Sequence, residues 1–150
     1  LIPLAEEIGF AHAYLDIEAV RFSDRLRVSW DVEPGVEAGL VPALLLQPLI
    51  ENAVRHAVAP RREGGVIHVR ITRDEGDVVI DVSDDGPGFG ASCAEPGART
   101  GLNNTRDRLH AAFGDSGGIE LGRSTSGGAR VTVRLPFVDS GAAVPVGATP

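Results

Sequence analysis

Three stretches of this 150-residue chain carry polar side chains that a protein core would not select. The first runs Gln47-Pro48-Leu49-Ile50-Glu51-Asn52-Ala53-Val54-Arg55-His56-Ala57. Asn52 and His56 are four apart and share one face of a helix, with Arg55 beside them. A neutral amide oxygen is a hard ligand suited to Mg²⁺ held between phosphates. Arg55 and His56 could meet phosphate oxygens. The same pattern also reads as a helix with one polar face. The second stretch, Asp84-Asp85-Gly86-Pro87-Gly88-Phe89, follows a strand pattern. A carboxylate there can accept a hydrogen bond from an exocyclic amine such as that of adenine, and glycines let backbone approach a flat ligand. A plain turn is the competing reading, since Asp, Gly and Pro all favour turns. A calcium loop of the EF-hand kind lacks its later ligands. The third stretch, Thr100-Gly101-Leu102-Asn103-Asn104-Thr105-Arg106-Asp107-Arg108-Leu109, takes a glycine-rich loop into a helix. Free N–H groups at a helix start attract anions. Asn103 or Asn104 could equally cap that helix, and Arg106 and Arg108 could be solvated or ion-paired.

Composition narrows the chemistry. The net charge of −7 argues against a nucleic-acid surface. All 14 basic residues are arginine, which removes the lysine-dependent phosphate loop and Schiff-base catalysis. One cysteine, Cys93, excludes an internal disulfide and a multi-cysteine zinc site; it neighbours Glu95 and reads as inert. The four histidines are scattered without zinc spacing. No apolar run approaches the ~20 residues of a membrane span.

These stretches need elements to position them. Residues 4–22 carry apolar side chains at helical spacing, and 26–32 alternate as a half-buried strand. Residues 41–58 are too long and too apolar for a strand and predict a largely buried helix, with Pro42 in its first turn and Pro48 as a possible kink. Residues 66–72 and 77–83 predict a hairpin joined at Asp74-Glu75-Gly76. Residues 84–100 are rich in Gly and Pro and predict a mobile loop, followed by a helix over 102–113 and strands over 118–123 and 129–135. The order predicts an α+β fold: a two-layer α/β sandwich, with a mixed sheet of about five strands and helices on one face. The expected divisions are a lead-in helix over 1–23, a body over 24–137 and a flexible tail over 138–150.

In order and spacing, the three stretches resemble the N, G1 and G2 boxes of the ATPase superfamily of gyrase, Hsp90, histidine kinases and MutL. QPLIENAVRHA, DVSDDGPGF, TGLNNTRDRL and the closing GGARVTVRLP are most similar to LytS-type sensor histidine kinases. EEIGFAHAYLDIEAVRFSDRL resembles the segment that joins their phosphoacceptor helices to the ATPase domain. The resemblance covers residues 4–137. It implies a Bergerat-type fold and the ATP-binding catalytic domain of a two-component sensor kinase, with ATP and Mg²⁺ as cofactors. Asn52 would hold Mg²⁺, with Glu51 beside it as a further catalytic candidate. Asp84 would bind the adenine amine, and Gly86 and Gly88 would let the loop close on the base. Arg55, His56, Thr100, Gly101, Leu102 and Asn104 would border the nucleotide, the last four in the ATP lid. The γ-phosphoryl would pass to a histidine on a helical domain absent from this chain, then to an aspartate of a response regulator. The family resemblance further implies a cytoplasmic domain of a dimeric, membrane-anchored protein.

Some positions depart from the family pattern. Arg99 replaces a lid glycine, and Ala129 replaces a threonine that follows the last-box glycine. The position four before Asn52, where hydrolytic members carry a glutamate base, is Pro48, so slow hydrolysis is expected. These departures motivate a different reading, a degenerate nucleotide-binding or protein-interaction module without catalysis; an anti-sigma serine kinase is a third. His12 has no Pro-His-Phe context for a phosphoacceptor, and His68 and His110 read as structural.

Overall fold

The computed structural model describes residues 1–87 and 96–140, with backbone alone for 96–100. The chain forms β1 (Ile2–Pro3), α1 (Leu4–Phe22), β2 (Leu26–Val32), β3 (Leu40–Val41), α2 (Leu46–Ala53), β4 (Gly65–Asp74), β5 (Asp77–Asp84), α3 (Pro96–Phe113), β6 (Gly118–Arg123) and β7 (Ala129–Pro136). Five strands form one sheet in the order β2-β4-β5-β7-β6. β2 and β4 are parallel, because the chain crosses over through α2 between them; the other pairings are antiparallel. β1 and β3 form a separate two-stranded pair that the sequence pattern did not announce.

Alternation decides the faces of the sheet. Ile67, Val69 and Ile71 of β4, Val78, Ile80 and Val82 of β5, and Val131, Val133 and Leu135 of β7 point inward and are buried. The helices cover that face. Leu4, Ala11, Leu15 and Phe22 of α1 join the same core as Leu46, Leu49 and Ile50 of α2. The lead-in helix is therefore packed into the body. Leu40 N–H donates to the Val138 carbonyl, and Asp139 pairs with Gly39, so the chain is held through 139. Residues 141–150 of the expected tail lie outside the described residues.

Two helix starts differ from expectation. α2 begins at Leu46, and Val41 belongs to β3. Pro42 keeps Val41 extended, while Pro48 takes the third position of α2. N–H groups of a first helical turn have no intrahelical partner, so Pro48 ends no bond and needs no kink. α3 begins at Pro96 and absorbs 96–100, the end of the stretch 84–100 that Gly and Pro content marked as loop. Asn103 and Asn104 are thus exposed interior residues of α3 and cap nothing.

Candidate functional site

Strand period places the central carboxylate. After Val78, Ile80 and Val82, the next inward position of β5 is Asp84, at the strand's end and 3% exposed. Its Oδ1 accepts the N–H groups of Gly86 at 2.9 Å and Ala129 at 3.1 Å. Its carbonyl accepts the hydroxyls of Ser124 at 2.7 Å and Ser126 at 3.3 Å from the β6–β7 turn. Burial raises the Asp84 pKa; the two N–H groups and nearby His56 oppose that without reversing it. A Cβ at Gly128 would sit 2.1 Å from the Asp84 carbonyl oxygen, so no larger residue fits there. A Cβ at Gly86 would lie 2.9 Å from the Ala57 Cα, which brings the end of β5 against the helical segment after Asn52.

That segment is unusual. After Ala53 the helix widens into a π turn, Val54–Val58, with Ala59 N–H reaching back to the Val54 carbonyl at 2.9 Å. Such turns often mark functional sites. Arg25 closes it by donating to the carbonyls of Val58, Ala59 and Arg61. Asn52 is 7% and His56 8% exposed. Asn52 Oδ1 and His56 Nε2 are buried and lack a partner among the described residues. Buried polar atoms rarely stay unpaired, so both are sites for a ligand to complete. One orphan amide oxygen fits Mg²⁺ that keeps waters and phosphate oxygens as its other ligands. Among the described residues no group of three His, Cys, Asp or Glu could cage a metal alone.

The two adjacent acids separate in role. Asp85 Oδ1 accepts Val66 N–H at 2.9 Å and Arg61 Nη1 at 3.0 Å, which ties the start of β4 to the end of β5. Burial pushes its pKa up, but Val66 and Arg61 outweigh that and hold it low. Asp81 lies on the sheet's outer face and accepts Arg130 and Thr132. That face carries a cavity of about 410 Å³ that includes His68, Ser83 and Arg70.

Other sequence candidates fall elsewhere. Glu51 accepts Gln47 Nε2 at 2.9 Å, and both Glu51 and Arg55 bear electrostatically on Tyr14 of α1, so they occupy the flank of α2 towards α1. Arg55 is exposed. Leu102 is buried in the core, and Gly101 has open space about it; its carbonyl accepts the Thr105 hydroxyl at 3.0 Å. Asn104 is exposed. The Thr100 side chain, Gly88, Cys93 and the Arg99 side chain lie outside the described residues. Arg108 donates to the Ala43 carbonyl at 2.6 Å. His12 stacks on Trp30 at 4.2 Å. Sequence reasoning missed Ser124 and Ser126 as supports of Asp84, and it treated Ala129 as a lost hydroxyl. Its backbone N–H serves the carboxylate whatever the side chain. The paired glycines before Ala129 were the available signal.

The family of histidine kinase-, DNA gyrase B- and HSP90-like ATPases matches residues 39–139, and the chain belongs to it. It is 32% identical over 138 residues to the sensor histidine kinase YesM of Bacillus subtilis, covering 91% of this chain and 24% of that protein. It is 30% identical over 146 residues to the sensor protein LytS of Enterococcus faecalis, covering 91% and 25% respectively. The chain thus spans about a quarter of these relatives. The fold matches the catalytic domain of histidine kinase ThkA with a TM-score of 0.67 at 16% identity, covering 92% of this chain and 96% of that one. The chain is a domain of this ATPase family with the fold seen in a histidine kinase catalytic domain.

Proposed function

We propose that this domain binds ATP with Mg²⁺ and presents the γ-phosphoryl group to a histidine on a helical domain outside these residues, from which a response-regulator aspartate receives it. The observation that supports this best is the juxtaposition of a braced carboxylate, Asp84, with a helix bearing two buried atoms, on Asn52 and His56, that have no partner among the described residues. Asp84 accepts the adenine amine, and its fixed Oδ1 sets the direction of approach. The missing side chain at Gly86 lets the end of β5 close on Ala57, beside His56, and Gly88 is the second glycine proposed to approach the base. Asn52 holds Mg²⁺ through Oδ1, and His56 Nε2 meets a phosphate or a water of the metal shell. When bound, Mg²⁺ neutralises phosphate charge as the group transfers. Thr100, Gly101 and Asn104 border the phosphates along α3, and Leu102, buried in the core, anchors that part of the helix. Glu51, on the α1 flank and held by Gln47, supports the helix beside Asn52. With Pro48 where hydrolytic relatives hold a base, transfer rather than hydrolysis is favoured.

No helix among the described residues is long and apolar enough to cross a membrane. Use of ATP puts the domain on the cytoplasmic side, in a dimeric protein whose remaining segments carry the sensor and any membrane anchor. The test is calorimetric titration with a non-hydrolysable ATP analogue, with and without Mg²⁺, on the wild type and Asp84→Asn. Mg²⁺-enhanced binding that Asp84→Asn abolishes supports the reading. Absence of binding in the folded wild type overturns it in favour of an interaction module.

A further inference from the structure

α2 begins without a local cap: Leu45 stands at its N-cap, no side chain there hydrogen-bonds the helix, and its first turn has no acid. The missing acceptor comes from α1. Glu7, 0% exposed, accepts Leu44 N–H at 2.6 Å on Oε1 and Leu46 N–H at 3.1 Å on Oε2. A carboxylate at a helix start also complements the helix dipole. Leu44 has φ +61°, a left-handed backbone that a leucine adopts only under constraint, and its side chain is 47% exposed. Glu7 supplies that constraint. The same loop is gripped from α3, where Arg108 donates to the Ala43 carbonyl at 2.6 Å. Three helices therefore meet at residues 43–46. α1 and α2 also face each other further along, where Tyr14 lies near Glu51 and Arg55.

We propose that Glu7 is a positioning residue for the nucleotide site: by holding the N–H groups of Leu44 and Leu46 it fixes the first turn of α2, and with it the place of Asn52. From Leu46 to Asn52 is roughly 9 Å of continuous helix, short enough to move as one piece. The inference rests on the reading of Asn52 as the Mg²⁺ ligand, and it makes α1 the handle by which the preceding segment reaches the metal site.

The test compares the 150-residue wild type with Glu7→Gln, which keeps side-chain size but leaves one N–H without an acceptor. ADP affinity is measured with and without Mg²⁺, and folding is checked by circular dichroism. Glu7→Gln is expected to cut the Mg²⁺-dependent enhancement about tenfold, the scale of one lost charge-assisted hydrogen bond, while Mg²⁺-free affinity stays within about twofold. Adding Leu44→Gly, which accepts positive φ without strain, is expected to recover most of the loss. If Glu7→Gln binds as the wild type does, or loses both affinities equally, the inference is overturned and the site reading stands. If the wild type shows no Mg²⁺ enhancement, both are overturned.

Discussion

The Asp84 side and the Asn52 side of this candidate site are built on opposite plans. At Asp84, Oδ1 and the carbonyl are engaged before any ligand arrives, by Gly86, Ala129, Ser124 and Ser126. At Asn52 and His56, buried atoms remain without partners among the described residues. The first side is braced in advance by the chain itself. On the proposed reading the second would be completed by what binds, which suits a metal-phosphate group. The difference lies in the supporting elements: Asp84 ends a strand paired on both sides, whereas Asn52 precedes a π turn held by Arg25 from outside.

Substitutions can break this contrast. Asp84→Asn is expected to have the largest effect, with nucleotide affinity falling about a hundredfold or more, because an amide nitrogen must face either the backbone N–H groups or the adenine amine. Calorimetry reads it, and near wild-type affinity would refute the proposed contact with adenine. Gly128→Ala should cost about 3 kcal/mol of stability in urea unfolding, since its methyl overlaps the Asp84 carbonyl. Asn52→Ala should do the reverse of Gly128→Ala: apo stability within about 1 kcal/mol of wild type, but Mg²⁺-dependent affinity at least about tenfold weaker. Equal losses of stability at positions 52 and 128 would erase the distinction between the two sides.

Proton linkage gives smaller effects. Because the Asp84 pKa is raised, the folded state binds its proton more tightly than the unfolded state does. Stability from this group is present below about pH 4 and is lost as pH rises through the raised value. The difference between wild type and Asp84→Asn in acid urea titrations isolates it, and a slope of opposite sign would refute the burial. Tyr14, the only tyrosine, has its pKa pushed up to about 12 by burial and by Glu18 and Glu51. Ultraviolet titration of its phenol should therefore centre near 12 in the folded chain. A midpoint near the ordinary value of about 10 would mean that α1 does not pack on α2 as described.

Much of the site was legible because it is local. A four-residue helical step places Asn52 and His56 together, whereas Asp84, read as the start of a loop after a strand over 77–83, is the last inward position of β5. The starts of α2 and α3 were not legible. Proline and glycine are ambiguous near helix ends, where Pro48 and Pro96 are tolerated and the pattern of 96–100 still reads as loop. Glu51 and Arg55 sit beside Asn52 in sequence but occupy another flank, a rotation whose consequence depends on what packs against it.

The residue types and their periods were enough to specify an α+β sandwich, because each signal lies within one element or one turn, while the three boxes came from the resemblance of their order and spacing to a known family. Only the tertiary structure decided that Asn52 Oδ1 and His56 Nε2 are buried without a partner among the described residues, that Asp85 braces a strand through Arg61, and that α2 is capped by Glu7, 37 and 39 residues before the groups it holds. Those facts depend on groups far apart in the chain meeting in a space that excludes water. Local propensity carries no record of such meetings.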